Sequence, residues 1–141
     1  MTMRTTALFI MEIEMEFDRA LIVRPEWLEM ILDGFKPWEM RSRRVSIRGV
    51  IGLIEAGSGL IRGQANLIDS LEPLSVAEFR KNVNKHKIPY RGCEHLAEKW
   101  NFPWVLDNAK RFETPIRYRH PKGAVTWVRI TPGILIDATL G

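Results

Sequence analysis

Four residues within eight positions carry the strongest chemical signal in the chain: Gly34, Lys36, Glu39 and Arg41. Lys36 and Glu39 stand three apart where a turn enters an extended segment, so an ammonium and a carboxylate are close enough to meet. Such a pair has two uses. In a cleft, the lysine holds a phosphate or polarises a carbonyl while the glutamate accepts a hydrogen bond from a base edge or acts as a general base. On the surface it is an ion pair across a turn, worth at most about 1 kcal/mol. Lys36 and Glu39 are therefore the catalytic candidates, with the surface pair as the competing reading.

Arginines follow at once. If the chain stays extended, Arg41 and Arg43 point to one face, and with Arg44 they present guanidinium groups suited to phosphates and guanine edges. Trp38 alternates with Lys36 and either stacks a base, a contact worth about 1–3 kcal/mol, or packs in the core. Trp27, Trp104 and Trp127 have apolar neighbours and read as core. Ser58, between Gly57 and Gly59, either faces a phosphate or makes a plain tight turn.

The net charge of +4 is unevenly distributed. Residues 1–33 carry three basic and seven acidic side chains, whereas residues 36–48 carry five basic groups, Arg48 among them, against Glu39 alone. Residues 80–91 hold Arg80, Lys81, Lys85, Lys87 and Arg91 without an acid, and residues 110–122 hold five basic groups against Glu113. Three basic clusters that a fold can gather on one face are the footprint of a polyanionic partner, with solvated loops as the alternative. Lys81 and Lys85 join the binding candidates on this ground. His86, His95 and His120 make no ligand spacing and Cys93 is the sole cysteine, so no metal, cofactor or internal disulfide is expected.

The elements that must position these residues are short. Met11 to Phe17 alternates with acidic residues, which predicts a half-buried strand pairing with Ala20–Val23. Pro25 opens a helix over Glu26–Asp33, with Gly34 just past its end. Strands are expected at 37–43, 50–56, 60–68, 104–106, 114–118 and 124–130, with Gly63 as a possible bulge. Ser75 and Glu78 form a capping box for a helix reaching about Lys85, and 94–100 makes another helical turn or two. Several short strands with one or two inserted helices indicate a mainly β, α+β domain built as a small barrel or curled sheet over residues 1–141. The 45% apolar content supports one packed core, and no apolar run nears the length of a membrane helix, so a cytoplasmic protein without membrane contact is expected. The tail, 131–141, has no assignable element.

The stretch from Ala20 to Arg48 resembles the opening of the ASCH domain, in the PUA-like superfamily. The resemblance rests on Leu21 to Pro25, the helix ending Ile31-Leu32-Asp33-Gly34, and a G-x-K-x-x-E-x-R signature present as Gly34, Lys36, Glu39 and Arg41. Later matches are Arg48-Gly49, Ile51 to Ala56, Ser58, Leu60 to Asp69 and a W-x-L-x-N stretch at Trp104, Leu106 and Asn108, covering about 20–130. It implies a small PUA-like β-barrel with flanking short helices, a cleft at the signature and an RNA-related role. A single-stranded or looped RNA is the partner expected there. Some family members are amidohydrolases acting on N4-acetylcytidine, and ribonuclease activity has been attributed to another. The amidohydrolases carry a threonine nucleophile where this chain has Glu39, and a carboxylate cannot serve as that hydroxyl. RNA binding is thus the leading expectation, with hydrolysis through Lys36 and Glu39 as the alternative.

Overall fold

The computed structural model describes residues 15–136. In chain order the elements are β1 (Arg19–Val23), α1 (Pro25–Leu32), β2 (Trp38–Arg41), β3 (Gly49–Glu55), β4 (Leu60–Ser70), α2 (Val76–Lys81), α3 (Val83–His86), α4 (Glu94–Lys99), β5 (Phe102–Arg117) and β6 (Trp127–Arg129). They form one sheet in the order β2-β5-β4-β3-β1-β6. Every pairing is antiparallel except β1 with β3, which run parallel because α1 and β2 lie in the connection between them.

The sheet is curled into a half-barrel with a few short helices. Its bend has a local cause: the register slips between Ile61 and Gly63, Gln64 and Asn66, and Leu67 and Asp69, and each such irregularity bends and twists a strand. The expected bulge at Gly63 coincides with the first slip. The curl is deep enough for Arg41 on edge strand β2 to reach the backbone of Ile22 on β1.

Alternation along the strands fills both faces. Leu21, Val23, Ile51, Leu53, Ala65 and Leu67 share one core with Leu28, Ile31 and Leu32 of α1. Ala20, Ile54, Ile61, Phe112, Ile116, Tyr118 and Val128 point to the other, where Phe17 and Ile130 cover them. A third, smaller core sits where the insert 71–101 packs on β2: Trp38, Met40, Leu74, Phe79, Ile88 and Ala97.

Several expectations change. The strand from Met11 to Phe17 lies mostly outside the described residues; Phe17 is buried without strand structure, and the two edges of β1 are taken by β3 and β6. The capping box at Ser75 and Glu78 forms, but the helix breaks at Asn82 into α2 and α3. The two strands expected at 104–106 and 114–118 are one sixteen-residue strand, because Asn108, with φ of 49°, is accommodated inside β5 rather than ending it. Strand β2 stops at Arg41, and β6 covers only part of 124–130. In the tail, Pro132–Ile134 forms a 3-10 turn and Leu135 bridges to Tyr118, while 137–141 lie outside the described residues.

Gly63 leaves no room for a side chain where Leu32 of α1 packs on the sheet. A Cβ there would meet the Lys110 carbonyl oxygen and come within 2.6 Å of Leu32 Cδ2. Gly63→Ala is expected to lower unfolding free energy by about 1–3 kcal/mol in urea titrations, as overpacking does.

Candidate functional site

The signature is positioned by the end of α1. Gly34 takes φ of 81°, a left-handed conformation open to glycine at little cost, and the amides of Phe35 and Lys36 both donate to the Met30 carbonyl at 2.9 and 3.1 Å. This tight exit turns the chain so that Lys36 enters the interior. Strand period two then divides β2. Trp38 and Met40 face the insert core, and Glu39 and Arg41 share the opposite face with Trp104, the cross-strand partner of Glu39.

Lys36, Glu39 and Arg41 form one buried charge network. Lys36 Nζ lies 3.7 Å from Glu39 Oε1, and Arg41 donates to Glu39 Oε2 from Nη2 at 2.8 Å and Nε at 3.2 Å. Each cation has a second hold on backbone: Lys36 donates to the His86 carbonyl and Arg41 Nη2 to the Ile22 carbonyl at 2.8 Å. Aromatic rings line the network. Lys36 sits 5.1 Å from the Trp27 ring, Arg41 5.6 Å from Trp104, and Trp104 stacks on half-buried Trp127 with centroids 5.9 Å apart. Access is graded: the Lys36 side chain is fully covered, whereas Glu39 keeps 6% and Arg41 13% of their side-chain exposure. Among the described residues Glu39 Oε1 accepts no hydrogen bond, because 3.7 Å exceeds hydrogen-bond range.

Burial pushes the Lys36 ammonium down from 10.5 to about 8; Glu39 opposes that shift and Arg41 adds to it. Burial likewise lowers His86, with the Phe79 carbonyl opposing and the Lys36 charge reinforcing.

The other expected residues divide sharply. Trp38 is 8% exposed and faces away from Glu39, with Lys85 Nζ 4.8 Å from its ring centroid, so it is a core residue rather than a stacking platform for the Glu39 face. Arg43 does not share a strand face with Arg41, because the chain bends after β2; its side chain is exposed while its carbonyl accepts from Trp104 Nε1 at 2.8 Å. Exposed Arg44 pairs with Glu72, and Arg48 bonds the Val45 and Ile47 carbonyls and lies 3.8 Å from Asp69. The Ser58 hydroxyl is taken up by its own turn, donating to the Glu55 carbonyl at 2.7 Å and accepting from Leu60 N at 3.0 Å. Lys81 is exposed on α2, Lys85 on α3. Gly34 and Lys36 also border a pocket of about 240 Å³ between α1 and β5, closed by Pro37, Leu106 and Asn108.

Trp27, Trp104, Trp127 and His86 also line the candidate site, although the sequence marks the tryptophans as core and His86 not at all. Their apolar neighbours hid the three tryptophans, and His86 contributes through its main chain, which leaves no side-chain signal. No group of His, Cys, Asp or Glu side chains able to hold a metal is found among the described residues. No helix among them is long and apolar enough to cross a membrane.

Comparison with known proteins gives a consistent assignment. The ASCH domain family model matches residues 21–116. The crystal structure of ASCH from Zymomonas mobilis is similar with a TM-score of 0.59 at 13% identity, covering 82% of this chain and 88% of that chain. A point mutant of the same Zymomonas mobilis protein gives 0.59 at 14% identity, covering 81% and 88%. At such identities the likeness is one of fold. No curated protein matches the chain.

The network makes an asymmetric prediction. Glu39→Gln leaves two buried cations without a counter-charge and is expected to cost about 3–5 kcal/mol, whereas Lys36→Met preserves the Glu39–Arg41 pair and should cost less. Because the folded-state value of Lys36 is depressed, the unfolded chain binds more protons between pH 8 and 10.5, so stability contributed at this residue rises with pH across that window. Urea titrations at several pH values should show the wild type gaining on Lys36→Met over that interval.

Proposed function

The chain belongs to the ASCH domain family, and from that premise we propose that it binds RNA through the basic cleft at the G-x-K-x-x-E-x-R segment, with the Glu39 face of β2 as the reading surface. The fold is PUA-like and often linked to RNA binding. The observation that carries the finer reading is the Glu39 carboxylate, held between two cations and beside aromatic rings, whose Oε1 takes no hydrogen bond shorter than the 3.7 Å contact to Lys36 among the described residues. An exocyclic amino group of a base donates to a carboxylate in that way. Two cations against one carboxylate leave the cleft positive, and charge in a poorly hydrated site acts over a longer range than on the surface.

Roles follow from access. Glu39 accepts from the base edge and Arg41 faces the ligand. Exposed Arg43, anchored through its carbonyl, takes a phosphate. Half-buried Trp127 offers a stacking face. Lys36 sets the potential from below, and Gly34 shapes the turn that brings it there. Arg44 and Arg48 contribute by exchanging their surface carboxylates for phosphates, and Lys81 and Lys85 extend the positive surface along the insert. Trp38 and Ser58 have no direct role in this reading.

A second reading, hydrolysis of RNA or of a modified nucleoside, is favoured by one observation. Burial brings the Lys36 ammonium to about 8, near the range where a lysine exchanges protons at neutral pH. Lys36 would act as the acid and Glu39 as the base, and the covered Lys36 would first have to gain access to ligand.

Binding of short single-stranded and hairpin RNAs tests both. Affinity is expected to fall at least tenfold between about 50 and 200 mM salt, and Arg41→Met or Glu39→Gln to weaken it by about 1–3 kcal/mol. RNA that is not retained, or retained equally at both salt concentrations, rules out the phosphate-contact reading. Turnover of RNA or acetylated cytidine that disappears in Lys36→Ala would replace binding with hydrolysis.

A further inference from the structure

Lys36 owes its place to an element far away in the chain, the end of α3 at His86 and the loop that leaves it. That loop is built with more constraint than a connector between short helices needs. His86 is fully buried, and its ring lies against Phe79 with centroids 4.1 Å apart. Its Nδ1 accepts from the Ile88 amide at 3.0 Å, which leaves Nε2 to carry the hydrogen donated to the Phe79 carbonyl at 2.7 Å. Both ring nitrogens are thus used, and the tautomer is set by its partners. Lys87 follows in the left-handed region with φ of 63°, uncommon for a residue with a side chain, and its amide donates to the Val83 carbonyl at 2.7 Å. The result of these constraints is the direction of one group: the His86 carbonyl, which accepts from Lys36 Nζ.

Resting on the RNA-binding reading for its functional meaning, we infer that His86 is the positioning residue of the signature. Its ring holds the end of α3 and the turn to Ile88 so that its own carbonyl fixes the Lys36 ammonium beneath Glu39, and the insert 71–101 thereby sets the charge of the cleft. The charged groups facing Lys36 are Glu39 and Arg41, while the loop supplies an oriented dipole. Without that acceptor the ammonium would keep Glu39 alone as a polar partner beside the Trp27 ring, and would reach toward solvent. The loop also links the site to the exposed basic side chains Arg80, Lys81 and Lys85 on the same insert, of which Lys85 lies over Trp38 on the reverse side of β2.

Two conservative variants separate positioning from packing. His86→Asn keeps an acceptor near the place of Nδ1 for the Ile88 amide, and His86→Gln keeps a donor near the place of Nε2 but loses that acceptor. The readout is the titration of Lys36 in the full chain, followed by NMR of its side-chain carbon next to the ammonium, above pH 7 where buried His86 is neutral. Wild type and His86→Asn are expected to titrate near 8, and His86→Gln to move toward the ordinary 10.5 as the loop loosens and water reaches the ammonium. Affinity for a short mixed-sequence single-stranded RNA should fall about tenfold in His86→Gln and recover in His86→Asn. A folded His86→Gln protein whose Lys36 titrates as in wild type overturns the inference, even if its melting temperature has dropped. Failure of the wild type to bind RNA would remove the RNA-binding reading while leaving the Lys36 titration to decide the role of His86.

Discussion

A single carboxylate, that of Glu39, holds together parts of the chain that no strand pairing joins. On one side it meets Lys36, whose ammonium is tied to the His86 carbonyl of the helical insert; on the other it takes two donors from Arg41, whose guanidinium reaches the Ile22 carbonyl of β1. Insert, edge strand and the far side of the curled sheet are thereby linked through one ion network. Charges taken from water cost several kcal/mol each, and the cost is met only where geometry and extra hydrogen bonds are good. Here both Arg41 donors to Glu39 are well placed and both cations have a main-chain acceptor.

The backbone of β1 explains why Arg41 is needed where it is. Strand β6 is three residues long and pairs with Arg19, Ala20 and Leu21. Past that point the Ile22 amide donates to the Thr126 carbonyl, and the Ile22 carbonyl, which a longer β6 would have engaged, accepts from Arg41 instead. A buried carbonyl left unpaired would destabilise the sheet edge. The same side chain therefore closes the half-barrel and, in the proposed RNA-binding reading, fronts the cleft, so that reading ties recognition to closure at Arg41. Trp27 and Trp104 surround the network and keep its dielectric low, which strengthens its interactions and depresses Lys36.

Much of the local structure was legible because its causes are local. Pro25 and Gly34 bound α1, Ser75 and Glu78 cap α2, a mostly apolar run marks β3 and alternation marks β4. The misreadings have long-range causes. Asn108 looks like a strand breaker, yet β5 continues through it because β4 supplies irregular pairing on its flank. The arginines look like one face until the bend after Arg41, which is held by the Trp104 indole on the Arg43 carbonyl. Trp38 looks available beside Lys36, yet the insert packs over it.

What the sequence by itself determined is the local order: a tight helix exit at Gly34, then a lysine, a glutamate and an arginine spaced so that a short strand puts Glu39 and Arg41 on one face. Whether Lys36 and Glu39 would pair at the surface or in the interior stays open at that level, because spacing is the same in both. Tertiary structure decided it. Burial depends on what covers a residue, and here the covering groups are Trp27, Trp104, the His86 carbonyl and the Ile22 carbonyl, brought in from four other parts of the chain by the curl of the sheet and the docking of the insert.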